Sequence, residues 1–201
     1  MAYPKPLERL IAAFERFPGI GRRTAERLAF HVLRDPESLE LAEALRDAAA
    51  HTRRCGQCHN VTEVDPCALC ANTTRDGTQL LVVEEPRDVE AVERSEVYRG
   101  RYHVLLGVFN PSEGTEERHL TLRALVARLA SGAVREVILA TDPDAEGEAT
   151  AQVVLAALDR ARTGVKVTRL ARGVPAGSAL EYLHKGVIQD ALEGRVTLRA
   201  P

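Results

Sequence analysis

The chain has 201 residues, of which 45% are hydrophobic and 28% charged, and its formal net charge is −2. These values describe an ordinary soluble globular protein of one domain or two small ones. No apolar run approaches the ~20 residues of a membrane span, and residues 1–5 lack the apolar core of a secretory signal, so the cytosol is the expected compartment and no membrane partner is expected.

The charge is unevenly spread. Residues 2–54 carry ten Lys/Arg and eight Asp/Glu, residues 80–150 carry eight and fourteen, and residues 151–201 carry eight and four. Residues 16–34 alone hold five Arg and a single acid. With a near-neutral total, local clusters decide whether a polyanion is a partner. Aromatics make up only 4% and Trp is absent, so the core must be built of Leu, Val and Ala.

Leu7, Leu10, Ile11 and Phe14 keep i, i+3, i+4, i+7 spacing and predict a first amphipathic helix. Pro18 ends it, and in Pro18-Gly19-Ile20-Gly21 the two glycines are expected to supply positive φ for a hairpin. Ala25, Leu28, Ala29 and Val32 predict a second helix. The result is a helix-hairpin-helix pattern. Its turn would present backbone N–H groups at a helix start, a site suited to a phosphate oxygen, with Arg22, Arg23 and Arg27 beside it. Contacts of this kind read the DNA backbone and not the bases, and they weaken with salt. The bland alternative is a plain helical hairpin whose glycines only make the turn. A third helix is predicted over 38–52 on Leu41, Ala42 and Leu45.

All four cysteines fall within sixteen residues, as Cys55-Gly56-Gln57-Cys58 and Cys67-Ala68-Leu69-Cys70. Two such pairs complete a tetrahedral Zn²⁺ site. Two disulfides or a redox pair are the alternatives, disfavoured by a cytosolic setting and by the duplication. A closed site is structural, and zinc binding worth on the order of 10 kcal/mol folds a stretch with almost no core of its own. Holding neighbouring domains together and touching DNA are both open roles for it.

From Leu80 onward, strand and helix signals alternate. Strands are predicted at 80–83, 102–108, 134–141 and 165–170, and helices at 88–96, 120–129 and 146–160. Alternation of this kind implies a parallel sheet covered by helices. Glu84 follows the first strand, and Asp142, Asp144 and Glu146 follow the third, where a parallel sheet binds ligands. Clustered carboxylates need a cation or protons, and Mg²⁺ is the candidate cation. Alternatively, Asp144 caps the following helix while Glu146 and Glu148 sit in its favourable first turn, or the acids meet a basic partner. The tail, with Leu180, Tyr182, Leu183, Val187, Ile188, Ala191 and Leu192, reads as two short helices.

A strand ending in Glu followed by one ending in Asp-x-Asp resembles the Toprim fold of topoisomerases and bacterial primases. The whole order is more specific. A Pro-Gly-Ile-Gly hairpin, a four-Cys knuckle, a Toprim unit and the tail segment Leu170-Ala171-Arg172-Gly173-Val174-Pro175 together resemble the RecR family of recombination mediators over nearly the full chain. The resemblance implies a multi-part α/β protein. Its parts are a helix-hairpin-helix DNA-binding region (1–54), a C4 zinc finger (55–70), a Toprim domain (78–174) and a C-terminal helical tail (175–201). It further implies repair and recombination without catalysis, binding of single- and double-stranded DNA, work with RecO and in some contexts RecF to load RecA, and a nucleoid-associated dimer or tetrameric ring.

The enzyme readings are narrower. Tyr3, Tyr98, Tyr102 and Tyr182 lie in no recognisable cleavage motif, and Lys5, Lys166 and Lys185 fit no P-loop. A Mg²⁺-dependent Toprim nuclease is the remaining enzymatic alternative, and a purely structural adaptor is the third reading.

Overall fold

The computed structural model describes residues 3–196. Residues 1–2 of the expected DNA-binding region and 197–201 of the expected tail lie outside the described residues. The chain divides after Thr52 into two compact units.

In the first unit, α1 (Lys5–Phe14) and α2 (Arg22–Arg34) pack through Ile11, Ala25 and Ala29, all fully buried, with Leu7, Leu10, Phe14 and Ile20 against them. The two alanines on the facing side of α2 let the helices approach closely, and burying Ile11 contributes about 2–3 kcal/mol. The chain leaves α1 through a turn in which the Ile20 N–H donates to the Phe17 carbonyl at 3.1 Å. Pro18 and Gly19 (φ 76°) take the central positions, the residues a type II turn requires. The positive φ expected at both glycines is found at Gly19 only. Gly21 (φ −85°, ψ 169°) is extended and serves as the N-cap of α2. Helix α3 (Ser38–His51) follows with no buried residue, and Leu41 and Leu45 are half exposed.

The second unit opens with a two-residue antiparallel pair, β1 (Arg53–Arg54) and β2 (Val61–Thr62), and a one-turn helix α4 (Ala68–Ala71). A four-stranded parallel sheet follows, made of β3 (Asp76–Val83), β4 (Gly100–Val104), β5 (Glu136–Ala140) and β6 (Lys166–Arg169) in the order β4-β3-β5-β6. Helices α5 (Pro86–Ser95), α6 (Leu122–Leu129) and α7 (Ala145–Arg160) make the crossovers, and α8 (Lys185–Glu193) lies in the tail. Leu80 and Val82 face one core with Leu125, Val137, Leu139 and Val154, while Leu81 and Val83 face the other with Val89, Tyr102 and Val104. This two-sided burial explains why the central strand reads as an unbroken apolar run.

Several expected bounds shift, and the first strand of the sheet begins at Asp76 instead of 80. The second strand ends at Val104, not 108, because Leu105 is buried and Leu106 (φ 67°) turns the chain away. Apolar character continues into that loop because the loop lies under the core. The helix expected from 120 begins at Leu122. In the tail, the first expected helix is a single 3₁₀ turn, Leu180–Tyr182, and both of its end residues are exposed. Among the described residues, no helix is long and apolar enough to cross a membrane.

Candidate functional site

The hairpin of the first unit sets its glycine turn against the start of α2. The Ala25 N–H makes the first intrahelical bond, to the Gly21 carbonyl at 3.0 Å. No side chain caps the turn before it, so the first amides of α2 are open to an acceptor. The three predicted arginines part company here. The Arg22 guanidinium lies among three carboxylates, 2.9 Å from Glu8, 3.6 Å from Glu15 and 3.0 Å from Glu26. The hydrogen bonds it donates to Glu8 and then to Glu26 raise its pKa further above the usual arginine range. Arg22 therefore ties α1 to α2. Arg23 and Arg27 are exposed and make no ion pair among the described residues. The Glu26 contact was legible as an i, i+4 pair, whereas Glu8 stands fourteen residues away and only the packing of α1 on α2 brings it in.

In the knuckle, the thiols of Cys55, Cys58, Cys67 and Cys70 are buried and free, and their sulfurs all lie within 4.8 Å of one another. The Cys58 and Cys67 sulfurs are 3.5 Å apart, close to the ~3.8 Å that a tetrahedron with ~2.3 Å Zn–S bonds demands. Backbone N–H groups of Cys67 and Cys70 point at the sulfurs of Cys55 and Cys67, each at 3.4 Å, as suits thiolate ligands. Four soft donors in a closed, buried set fit a structural Zn²⁺ and leave no position for a substrate.

The acids assemble at the carboxyl ends of β3 and β5. After β3 the chain moves outward to β4 and then crosses back to β5, so the neighbouring ends of β3 and β5 are the switch point of the sheet. Glu84 is buried there, and its Oε1 accepts the Asp142 N–H at 3.3 Å. Burial, reinforced by the charges of Asp142, Asp88 and Asp144 and opposed by that hydrogen bond, pushes the Glu84 carboxyl up to about 7. Asp142 and Asp144 are exposed. Asp144 is the N-cap of α7, accepting the Gly147 N–H at 2.8 Å. Gly147 is required: a Cβ on it would stand 2.0 Å from the Asp142 carbonyl oxygen. Glu146 accepts from Asn110 Nδ2 at 2.8 Å, and the Phe109 N–H donates to Thr150 Oγ1 at 2.8 Å, fixing the loop after β4 to α7. Among the described residues, the four thiols are the only group of three or more such ligands drawn within 4.8 Å, so the acids form no comparably tight set.

Sequence reading missed two further arrangements. Glu148 receives Arg169 and Arg172, which hold its carboxyl down at about 2, Arg169 the more strongly. Arg75, 6% exposed at its side chain, donates to Glu93, to the Gly100 and Tyr98 carbonyls, and lies over the Tyr102 ring. Neither has a local spacing signal, because the partners lie on elements that only the sheet brings together.

A glycine-turned helix pair, a four-cysteine knuckle and a parallel sheet with acids at its switch point together define a Toprim protein carrying a helix-hairpin-helix and a zinc finger. The comparisons agree. The chain matches the family models for the RecR helix-hairpin-helix over residues 7–49, the RecR four-cysteine zinc finger domain over 52–72, and the Toprim domain over 78–171. It is 46% identical to Recombination protein RecR of Koribacter versatilis over 195 residues, covering 96% of this chain and 97% of the relative. It is 48% identical to the proteins of that name from Heliobacterium modesticaldum (96% and 97% covered) and Moorella thermoacetica (97% and 98% covered). The chain belongs to the RecR family.

Proposed function

We propose that this protein is a non-catalytic, sequence-independent DNA clamp for repair and recombination. It acts with RecO, and in some contexts RecF, to help load RecA on gapped or single-stranded DNA at the nucleoid. The observation that carries this reading is the uncapped start of α2 behind the Gly19 turn, flanked by the exposed Arg23 and Arg27. Backbone amides and guanidinium groups so placed suit phosphate oxygens and no particular base. The name carried by the relatives supports the same role.

Two cations per copy hold DNA weakly, and several copies in one assembly raise the effective concentration without new contacts. An apolar groove of ≈ 490 Å³ in the first unit, lined by Leu10, Phe14, Phe17, Leu41 and Leu45, supports assembly into a dimer or tetrameric ring. So do the exposed Leu180 and Tyr182 of the tail. Light scattering tests this, and a strict monomer would count against the clamp.

The Mg²⁺-dependent nuclease is the competing reading, favoured by the Glu84–Asp142 contact at the switch point. Against it, Asp144 and Glu146 are engaged within the fold. One experiment separates the readings: labelled single- and double-stranded DNA incubated with the protein and Mg²⁺ or Mn²⁺, followed by anisotropy and by gel. Binding without cleavage, steeply weakened by salt, is expected. Metal-dependent cleavage abolished by Asp142→Asn would establish the nuclease, and absence of binding even at low salt would leave only the adaptor.

A further inference from the structure

Helix α2 carries a cationic stripe that runs on past the hairpin. At about 100° per residue, Arg23, Arg27 and Arg34 fall within ~40° of one another, on the side of the helix opposite Ala25 and Ala29, which are buried against α1. All three arginines are exposed and make no ion pair among the described residues. The acids nearest in the chain are turned elsewhere. Glu26 pairs with Arg22 at 3.0 Å, and Asp35, just past the helix, lies 3.9 Å from His31. From Arg23 to Arg34 the stripe is ~16 Å long at ~1.5 Å per residue, enough for several phosphates of one strand at ~3.4 Å each.

An aromatic pair interrupts the stripe. Phe30 stands three residues after Arg27 and four before Arg34, hence between them on the same face. Among the described residues it takes no part in the cluster around Ile11. Its ring instead meets that of Tyr3 edge to face, with centroids 5.5 Å apart and planes at 80°. In that arrangement each ring leaves at least one face uncovered by the other, and Tyr3, which precedes α1, is 38% exposed. A cationic track with an aromatic ring set into it is the combination that holds single strands without regard to sequence, because every base has a face to stack.

We propose that Arg34 and the Tyr3–Phe30 pair extend the phosphate contact of the hairpin into a binding track for single-stranded DNA, the arginines following the phosphates and the Tyr3 ring stacking on a base. The proposal rests on DNA binding at the hairpin and adds a strand preference to it. A duplex can use the arginines but not the ring, since its bases are already stacked on one another.

The test is fluorescence anisotropy on the full chain with three probes of equal length: an oligothymidylate, a strand of abasic deoxyribose units with the same phosphates, and a duplex. The protein is expected to bind the oligothymidylate about ten-fold more tightly than the abasic strand, the scale of one stacked base. Tyr3→Leu keeps apolar bulk against Phe30 and should remove most of that difference while leaving the duplex and abasic affinities unchanged, with thermal melts to check that it folds. Arg34→Glu should weaken binding of all three probes and flatten the dependence of log affinity on log salt by about 0.7 for each phosphate lost on the single strand. Equal affinity of the unaltered protein for the thymidylate and abasic strands would overturn the proposal, and so would an unchanged salt slope in Arg34→Glu. A loss of duplex affinity in Tyr3→Leu as large as the loss for the single strand would overturn it too, since the ring would then only brace the helix pair. In each of these cases weakened binding by Arg23→Glu/Arg27→Glu would leave the hairpin reading standing, so the two fail separately.

Discussion

Replacing Glu84 by Gln tests the electrostatics of the switch point. The carboxyl titrates near 4.5 in the unfolded chain and near 7 in the folded protein, so folding takes up a proton between those values. The stability this group contributes is complete below about pH 4.5 and is lost as pH rises through 7. Displacement of the pKa from 4.5 to about 7 corresponds to roughly 3 kcal/mol at full effect. Gln keeps the shape and still accepts the Asp142 N–H, but it carries no charge. The variant should therefore match wild type near pH 4.5 and exceed it at pH 8 by as much as about 3 kcal/mol, or about 6–12 °C in melting temperature for a protein of this size. Thermal melts and urea titrations of both proteins from pH 4.5 to 8.5, without Mg²⁺ and with zinc retained, measure the difference directly. If the two stability curves run parallel through that window, burial beside three acids does not govern this carboxyl and the reasoning fails.

Arg23→Glu with Arg27→Glu should weaken binding to all DNA sequences alike and flatten the dependence of log affinity on log salt by about 0.9 for each phosphate no longer neutralised; titrations by anisotropy at several salt concentrations measure it. Arg22→Ala should instead lower the melting temperature of the first unit and leave that slope unchanged, since Arg22 is engaged by Glu8, Glu15 and Glu26. Arg75→Met should destabilise the sheet by about 3 kcal/mol in urea titration, because Glu93 loses its partner in a low-dielectric setting. Gly147→Ala should cost about 1–3 kcal/mol as the start of α7 is forced off the Asp142 carbonyl, read from the same titration.

What is legible in the sequence is what local pattern encodes. Paired cysteines announce a shared metal, the apolar run in β3 marks a strand buried on two sides, and the position of Glu84 and Asp142 after strands places them at one sheet end. What is not legible depends on residues that meet only after folding. Nothing near Arg22 in sequence reveals Glu8, and nothing near Glu148 reveals Arg169 or Arg172. The second strand reads too long because Leu105 is as buried as a strand residue while lying beyond the strand. Gly21 misleads because an extended N-cap and a left-handed turn residue are both commonly glycine.

Three acids around one guanidinium leave that corner of the hairpin with a surplus of negative charge. On the proposed reading the nearest arginine to the turn is thus spent on architecture, and the surface that meets polynucleotide is modest in its attraction. Each copy would release readily while the assembly stays on, a balance suited to a protein that must hold a strand and then surrender it.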